Sequence, residues 1–257
     1  MLRNLFYNCC PIEQSSEVTR DNIEWLCKYG NTFNNRRIVV IKTGEIMEDP
    51  DVIRPLFDSL DDVEFILWPN DPILHETAGF LETLGLLEST RRDEATFYAH
   101  TKGVSQFSSP TANQVSIRQW RNRMYHECLS RPEEIDEVMK GYAACGCFFQ
   151  KEKRSKHAWP WHFAGAFWWV NHTRLFRSNW KKIHQSRYGP EQYLSQMFKS
   201  HEVSHLYYSS GIAFYDQVFG LFLCNCCGEV NTLIEKPQCP KCKGIDLKFI
   251  KNSDMSY

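Results

Sequence analysis

Two cysteine pairs near the end of the 257-residue chain have the spacing of a metal site. Cys224-Asn225-Cys226-Cys227-Gly228 and Cys239-Pro240-Lys241-Cys242-Lys243-Gly244 each contain C-x-x-C, with eleven residues between Cys227 and Cys239. Two such turns bring four thiolates around one tetrahedral point, and the glycine after each pair lets backbone N–H groups turn toward the sulfurs. The spacing predicts a structural Zn²⁺ on Cys224, Cys227, Cys239 and Cys242; a redox pair or free thiols is the plainer alternative. Cys226 competes with Cys224, although Cys224 and Cys227 match the second pair better. Four thiolates leave no open coordination position, so this metal would fold the tail and not touch a substrate. The chain has eleven cysteines, an odd number, which argues against a fully paired secreted framework.

A second cluster is His100-Thr101-Lys102-Gly103, placed where an apolar run ends. In open α/β sheets ligands gather outside the carboxyl ends of strands. His, Thr and Lys beside a glycine offer donors and positive charge to a phosphate-bearing ligand; the plainer reading is a turn with a solvated lysine. Glu191 follows Gly189-Pro190 at a helix start, where its carboxylate suits the helix dipole or, alternatively, a catalytic base. His162 opens an aromatic stretch, Trp161-His162-Phe163-Ala164-Gly165-Ala166-Phe167-Trp168-Trp169. Its indoles either pack a core or leave one ring to stack on a ligand.

These groups need a scaffold, and the first hundred residues supply an alternating pattern. Apolar runs at Leu5–Cys9, Arg37–Ile41, Val63–Trp68 and Ala95–His100 read as strands, with helices around Asp21–Tyr29, Asp51–Leu60 and Leu74–Ser89 between them. That alternation predicts an α/β fold with a mostly parallel sheet flanked by helices. Two helices follow, Thr111–Leu129 and Pro132–Tyr142, then an apolar segment at Ala143–Phe149, a basic loop at Lys151–His157 and a late strand at Val203–Tyr208. Asp49-Pro50-Asp51 reads as a helix start. After about Leu223 the large apolar residues thin out, so the expected division is 1–220 for the α/β domain and 221–257 for a metal-held tail.

Apolar residues make up 42% of the chain, enough to bury a core, and 30 basic against 31 acidic residues create no global field for nucleic acid. The lysines of the tail are too sparse for a nucleic-acid face. No apolar run reaches the roughly 18 residues of a membrane helix. Free cysteines and the lack of a signal-like N-terminus point to a cytoplasmic protein.

Taken in order, Glu82-Thr83-Leu84, His100-Thr101-Lys102-Gly103, Trp120-Arg121, Met124, His162-Phe163-Ala164-Gly165-Ala166-Phe167-Trp168-Trp169 and Glu191-Gln192-Tyr193-Leu194 resemble GT-A-type glycosyltransferases of bacteria and large DNA viruses. Those enzymes show H-[ST]-K-G, a W-R pair, H-x-x-G-x-F-W-W and E-x-W-[LI] in this order, and the resemblance covers about residues 3 to 210. It implies a nucleotide-sugar donor held by His100, Thr101, Lys102, Gly103 and Arg121. It implies a glycan or other hydroxyl acceptor near Gly165, Trp168 and Trp169, with Glu191 as base in an inverting reaction and His162 as the other catalytic candidate. Two positions depart from the pattern: Ala166 stands where many members have Asn, and Tyr193 replaces Trp. The metal-binding D-x-D of most GT-A enzymes has no counterpart after the His100 strand. Either Lys102 offsets the diphosphate charge, with His100 assisting, or His100 holds a Mg²⁺ or Mn²⁺ that arrives with the donor. The alternative class is a non-catalytic nucleotide- or glycan-binding protein whose ribbon docks a protein or nucleic-acid partner.

Overall fold

The computed structural model describes residues 1–89, 93–106, 111–151, 159–207, 221–224, 230–232 and 247–250. Compact packing divides the chain into two units, one of residues 1–107 and 123–208, the other of 108–122 and 209–257.

The first unit is built on a seven-stranded sheet. Its strands in chain order are β1 (Leu2–Cys9), β2 (Arg37–Thr43), β3 (Val63–Pro69), β4 (Glu94–His100), β5 (Ala144–Cys147), then β8 (Trp168–Asn171) and β9 (Val203–Tyr207). Between β5 and β8, β6 (Phe149–Lys151) and β7 (Trp161–Phe163) form a separate antiparallel pair. The order across the sheet is β3-β2-β1-β4-β8-β5-β9, and only β8 runs against its neighbours. All four early strands lie where the apolar runs place them. Strands of a sheet covered on both faces read as continuous apolar stretches, and Leu5, Phe6, Tyr7, Val39, Val40, Phe97 and Tyr98 are all buried.

Register puts the large side chains in rows. Ile38, Phe6, Tyr98 and Trp168 pair side by side across β2, β1, β4 and β8, and Trp169 pairs with Phe97. Alternation along β8 sends the two indoles to opposite faces. Trp168 stacks on Tyr98 at 4.9 Å, and Trp169 lies 5.2 Å from Phe97 and 6.0 Å from Phe33.

The helices flanking this sheet are α1 (Ser16–Lys28), α2 (Pro50–Ile53), α3 (Phe80–Leu86), the 123–129 end of α4 (Thr111–Leu129), α5 (Pro132–Gly141), α6 (His172–Phe176) and α7 (Gly189–Tyr193). Asp49 caps α2 by accepting the Asp51 N–H, with Pro50 in the first turn, so Asp49-Pro50-Asp51 is a helix start. The helix expected over Leu74–Ser89 is broken. A 3₁₀ turn at His75–Thr77 is followed by extended Ala78 and left-handed Gly79 (φ 77°) before α3 begins. Apolar periodicity spans the break because both pieces bury the same side. Gly79 is what ends the turn: a side chain there would strike the Trp68 indole. The Asp51–Leu60 segment likewise resolves into α2 and a 3₁₀ turn at Arg54–Phe57, with Pro55 removing a helical donor.

At the amino end of β4 lies a buried polar network. Thr96 Oγ1 is 2.6 Å from His172 Nε2, Glu94 Oε1 is 3.6 Å from His172 Nδ1, and Asn4 donates to Glu94 at 2.9 Å. Burial holds the His172 imidazole down to about 4, against the opposing pull of Glu94. In the unfolded chain it takes its proton near the ordinary imidazole value of about 6.5, so stability present above that pH is lost as pH falls toward 4. The full loss is about 3 kcal/mol. Urea unfolding followed at pH 7 and pH 5 should show a lower midpoint at pH 5, and His172→Leu should flatten that difference.

The second unit includes the 111–122 part of α4 and a three-stranded antiparallel sheet, β10 (Leu221–Cys224), β11 (Val230–Thr232) and β12 (Leu247–Ile250), in the order β11-β10-β12. Cys224 ends β10; Cys227, Cys239 and Cys242 lie outside the described residues, as does 152–158 of the basic loop. Among the described residues no helix is long and apolar enough to cross a membrane.

Candidate functional site

The strand order reverses at β1: the chain passes from β1 out to β2 and β3, then returns to β4 on β1's other side. Such a reversal opens a crevice at the carboxyl ends of the strands. A cleft of about 420 Å³ of empty space, partly open to solvent, is lined there by Glu76, Tyr98, His100, Lys102 and, from the far side of the sequence, Gly165, Ala166, Arg187, Tyr188, Pro190 and Glu191.

Hydrogen bonds fix the charged groups. His100, the last residue of β4, places Nδ1 3.0 Å from Glu76 Oε1 and Nε2 3.0 Å from the Gly165 carbonyl. A carbonyl only accepts, so Nε2–H donates to Gly165, while Nδ1 sits at ion-pair distance from the Glu76 carboxylate. Glu76 is its counter-ion: burial pushes the carboxyl up, but the His100 charge and hydrogen bond prevail and hold it down to about 2. The Gly165 N–H in turn donates to Glu191 Oε1 at 2.6 Å. His100, Gly165 and Glu191 are therefore linked through the two sides of one residue, with Gly165 at φ 85° and Ala166 at φ 56°. His75, just before Glu76, is also left-handed (φ 47°). Non-glycine residues pay for that conformation, and such strain gathers where a site must be held in one shape.

Lys102 is fixed through its backbone. Its N–H donates to Asn22 Oδ1 at 3.0 Å, and Asn22 Nδ2 donates back to its carbonyl at 3.0 Å. Asn22, fully buried on α1, is held by further bonds to the Val18 carbonyl and the Tyr125 hydroxyl. Burial pulls the Lys102 ammonium down from its ordinary value, while Glu191 and Glu76 pull it back up. The cleft brings the basic side chains of Lys102 and Arg187 together with the carboxylates of Glu76 and Glu191.

Comparison with protein-family models and with curated proteins finds no match.

Several residues singled out in the sequence meet here: His100, Lys102, Gly165 and Glu191 line one cleft. Others serve the scaffold. Thr101 is buried with its hydroxyl between the Asn8 carbonyl, 3.2 Å away, and the Cys10 N–H, 2.6 Å away, so it ties the end of β4 to the end of β1. Gly103 makes the following turn at φ 93°. Trp168 and Trp169, expected beside an acceptor, are both in the core, and their N–H groups donate to the Pro190 and Cys128 carbonyls. A sheet covered on both faces leaves no exposed side for either ring. His162 is a buried residue of β7, outside the cleft lining, and 5.8 Å from the Trp159 ring. Arg121 is buried, in the second unit.

Glu76, Tyr98, Arg187 and Tyr188 are site residues that the sequence did not single out. Glu76 read as the polar side of an unbroken helix, and its role depends on the turn that Gly79 terminates. Arg187 and Tyr188, with the guanidinium 5.2 Å from the ring, sit in an ordinary polar loop. What brings them in is packing: Thr77 Oγ1 donates to the Ser186 carbonyl at 2.5 Å, and Gly189 presses on Thr77. A methyl group at 189 would run into the Thr77 side chain and come within 2.9 Å of the His184 carbonyl. Gly189→Ala should cost about 1–3 kcal/mol in denaturant unfolding, because backbone as well as side chain must yield.

The donor set does not fit a divalent cation held by the protein. No group of three His, Cys, Asp or Glu side chains that could hold a metal ion gathers among the described residues.

Proposed function

We propose that the chain is a glycosyltransferase that moves a sugar from a nucleoside-diphosphate donor to a hydroxyl acceptor, with inversion. The observation that carries this reading is the convergence of Lys102 and His100 with Glu191, some ninety positions away, on one cleft at the reversal point of the sheet. The ordered motifs shared with GT-A-type enzymes support it, as does a mixed, mostly parallel sheet with the ligand crevice at its carboxyl edge.

In the proposed reaction the diphosphate lies against Lys102, His100 and Arg187. These charges stabilise the departing group as the glycosidic oxygen takes up the bonding electrons. Glu191 accepts the acceptor's hydroxyl proton while that oxygen forms the new bond to the anomeric carbon. One carboxylate oxygen is anchored by the Gly165 N–H, and the second remains for the acceptor. The short five-residue α7 contributes little dipole, so it is the Gly165 contact that sets the base. His100, held between Glu76 and the Gly165 carbonyl, assists.

For the tail we propose a zinc ribbon. Supporting it are the two C-x-x-C pairs and their positions in sequence, one spanning the end of β10 and the β10–β11 connection, the other within the β11–β12 connection. The ribbon would serve as a docking site for a protein partner.

A thermal-shift screen tests the donor assignment. The full chain with nucleoside diphosphates and their sugar esters should be stabilised by at least one base series, through ligand linkage. Stabilisation without turnover would instead favour the binding-protein class.

A further inference from the structure

Tyr98 lies on the floor of the cleft with its side chain fully buried, and its hydroxyl has no hydrogen-bond partner. The ring is held on all sides: Trp168 stacks on it at 4.9 Å, while Phe6 and Phe80 meet it edge-on at 5.0 and 5.1 Å. A ring so confined cannot swing out to water. Leaving a buried hydroxyl unpaired is destabilising, and a phenylalanine would fill the same space without that cost. The hydroxyl therefore marks a place where something other than the protein completes the bond.

The surroundings say what kind of group that is. Glu76 lines the same cleft and is a carboxylate, held ionised by the His100 ring 3.0 Å from it. Glu191 presents a second carboxylate. A carboxylate accepts hydrogen bonds and repels anions. At the rim the exposed Tyr188 ring offers an apolar face. The positive groups, Lys102 and Arg187, serve the anionic part of a ligand, while the Tyr98 and Glu76 part asks for hydroxyls and excludes a further negative charge.

Resting on the transferase reading above, we infer that Tyr98 and Glu76 form the sugar subsite and select a neutral, hydroxyl-rich sugar over a uronic acid or other acidic sugar. The Tyr98 hydroxyl bonds one sugar oxygen, and Glu76 accepts from one or two sugar hydroxyls while it holds His100 in place.

The test compares wild type with Tyr98→Phe, using isothermal titration of the full chain. The probes are the nucleoside diphosphate of the base that binds best, its hexose ester and its hexuronate ester. Tyr98→Phe should weaken the hexose ester about five- to tenfold and leave the bare diphosphate unchanged. Its melting temperature should equal or exceed that of wild type, so misfolding cannot account for the loss. For wild type, the hexuronate should bind at least tenfold more weakly than the hexose. In Glu76→Gln, with one charge removed, that preference should shrink. Equal hexose affinity in wild type and Tyr98→Phe would overturn the subsite and assign the hydroxyl to a bound water. Equal or tighter binding of the hexuronate would overturn the selectivity. If neither the diphosphate nor its esters bind wild type, the transferase reading falls and the subsite with it.

Discussion

Glu191→Gln should lower sugar transfer by about 10²–10⁴-fold while donor affinity stays at the wild-type level. The substitution separates the two jobs of this side chain. A glutamine carbonyl still accepts the Gly165 N–H, now made by Oε1 at 2.6 Å, so the left-handed turn at Gly165 and Ala166 is kept. What glutamine cannot do is take a proton from an acceptor hydroxyl. Glu191→Ala removes both functions and should also lower the melting temperature, because the Gly165 N–H loses its acceptor. Single-turnover measurements with saturating donor distinguish the cases. A Gln variant with unchanged turnover removes Glu191 from the base role and leaves it a turn anchor.

Lys102→Met should reduce transfer by about 10²–10³-fold, the scale expected when one preorganised charge is taken from a developing anion. Here the loss should appear in donor affinity as well, because the ammonium meets the diphosphate in the ground state. Methionine keeps an apolar stem and is one atom shorter, so most of the packing is conserved. Two nearby carboxylates, Glu76 and Glu191, then lose a compensating charge, which further disfavours an anionic donor. Lys102→Arg should rescue poorly, since a planar fork does not occupy the space of a compact ammonium. Burial lowers the lysine from its ordinary range, so wild-type turnover should decline on the alkaline side before a solvent-exposed lysine would titrate, and Lys102→Met should lack that limb. Retained donor affinity in Lys102→Met would assign the diphosphate to other groups.

The strands were the most legible part of the chain. β1, β2 and β4 read directly from apolar runs because most of their residues are buried whatever face they occupy; β3, an edge strand with half-buried and exposed residues, reads from its own apolar run, and the helix over Thr111–Leu129 matches its expected bounds. The helix over Leu74–Ser89 was not legible. Its apolar spacing continues through a break set by Trp68 packing on Gly79, a contact between residues that periodicity does not relate. The same break makes Glu76 a cleft residue. Of the candidate site, the strand-end tetrapeptide and Glu191 were legible because strand ends and helix starts leave local marks. Trp168 and Trp169 are buried on opposite faces of the sheet, and alternation tells which face a ring takes but not that both faces are covered. Tyr98 was hidden for the opposite reason: a tyrosine inside an apolar strand reads as core, and only the missing partner of its hydroxyl distinguishes it.

The Asn22 clamp on Lys102 joins positions 80 residues apart, and the Thr77–Ser186 bond joins positions 109 apart. Both are set by the sheet order, which brings the α1, β4 and α7 regions to one edge. The cleft is thus a product of topology more than of any local motif.

In the proposed function this cleft cleaves a nucleotide sugar and passes the sugar on. The most direct test is release of nucleoside diphosphate by the full-length chain from a panel of nucleotide hexoses, with a mixed glycan acceptor pool and with Mg²⁺, Mn²⁺ or chelator present. Acceptor-dependent release from at least one donor is expected, persisting in chelator and abolished in Glu191→Gln. No release from any donor under any of these conditions would contradict it.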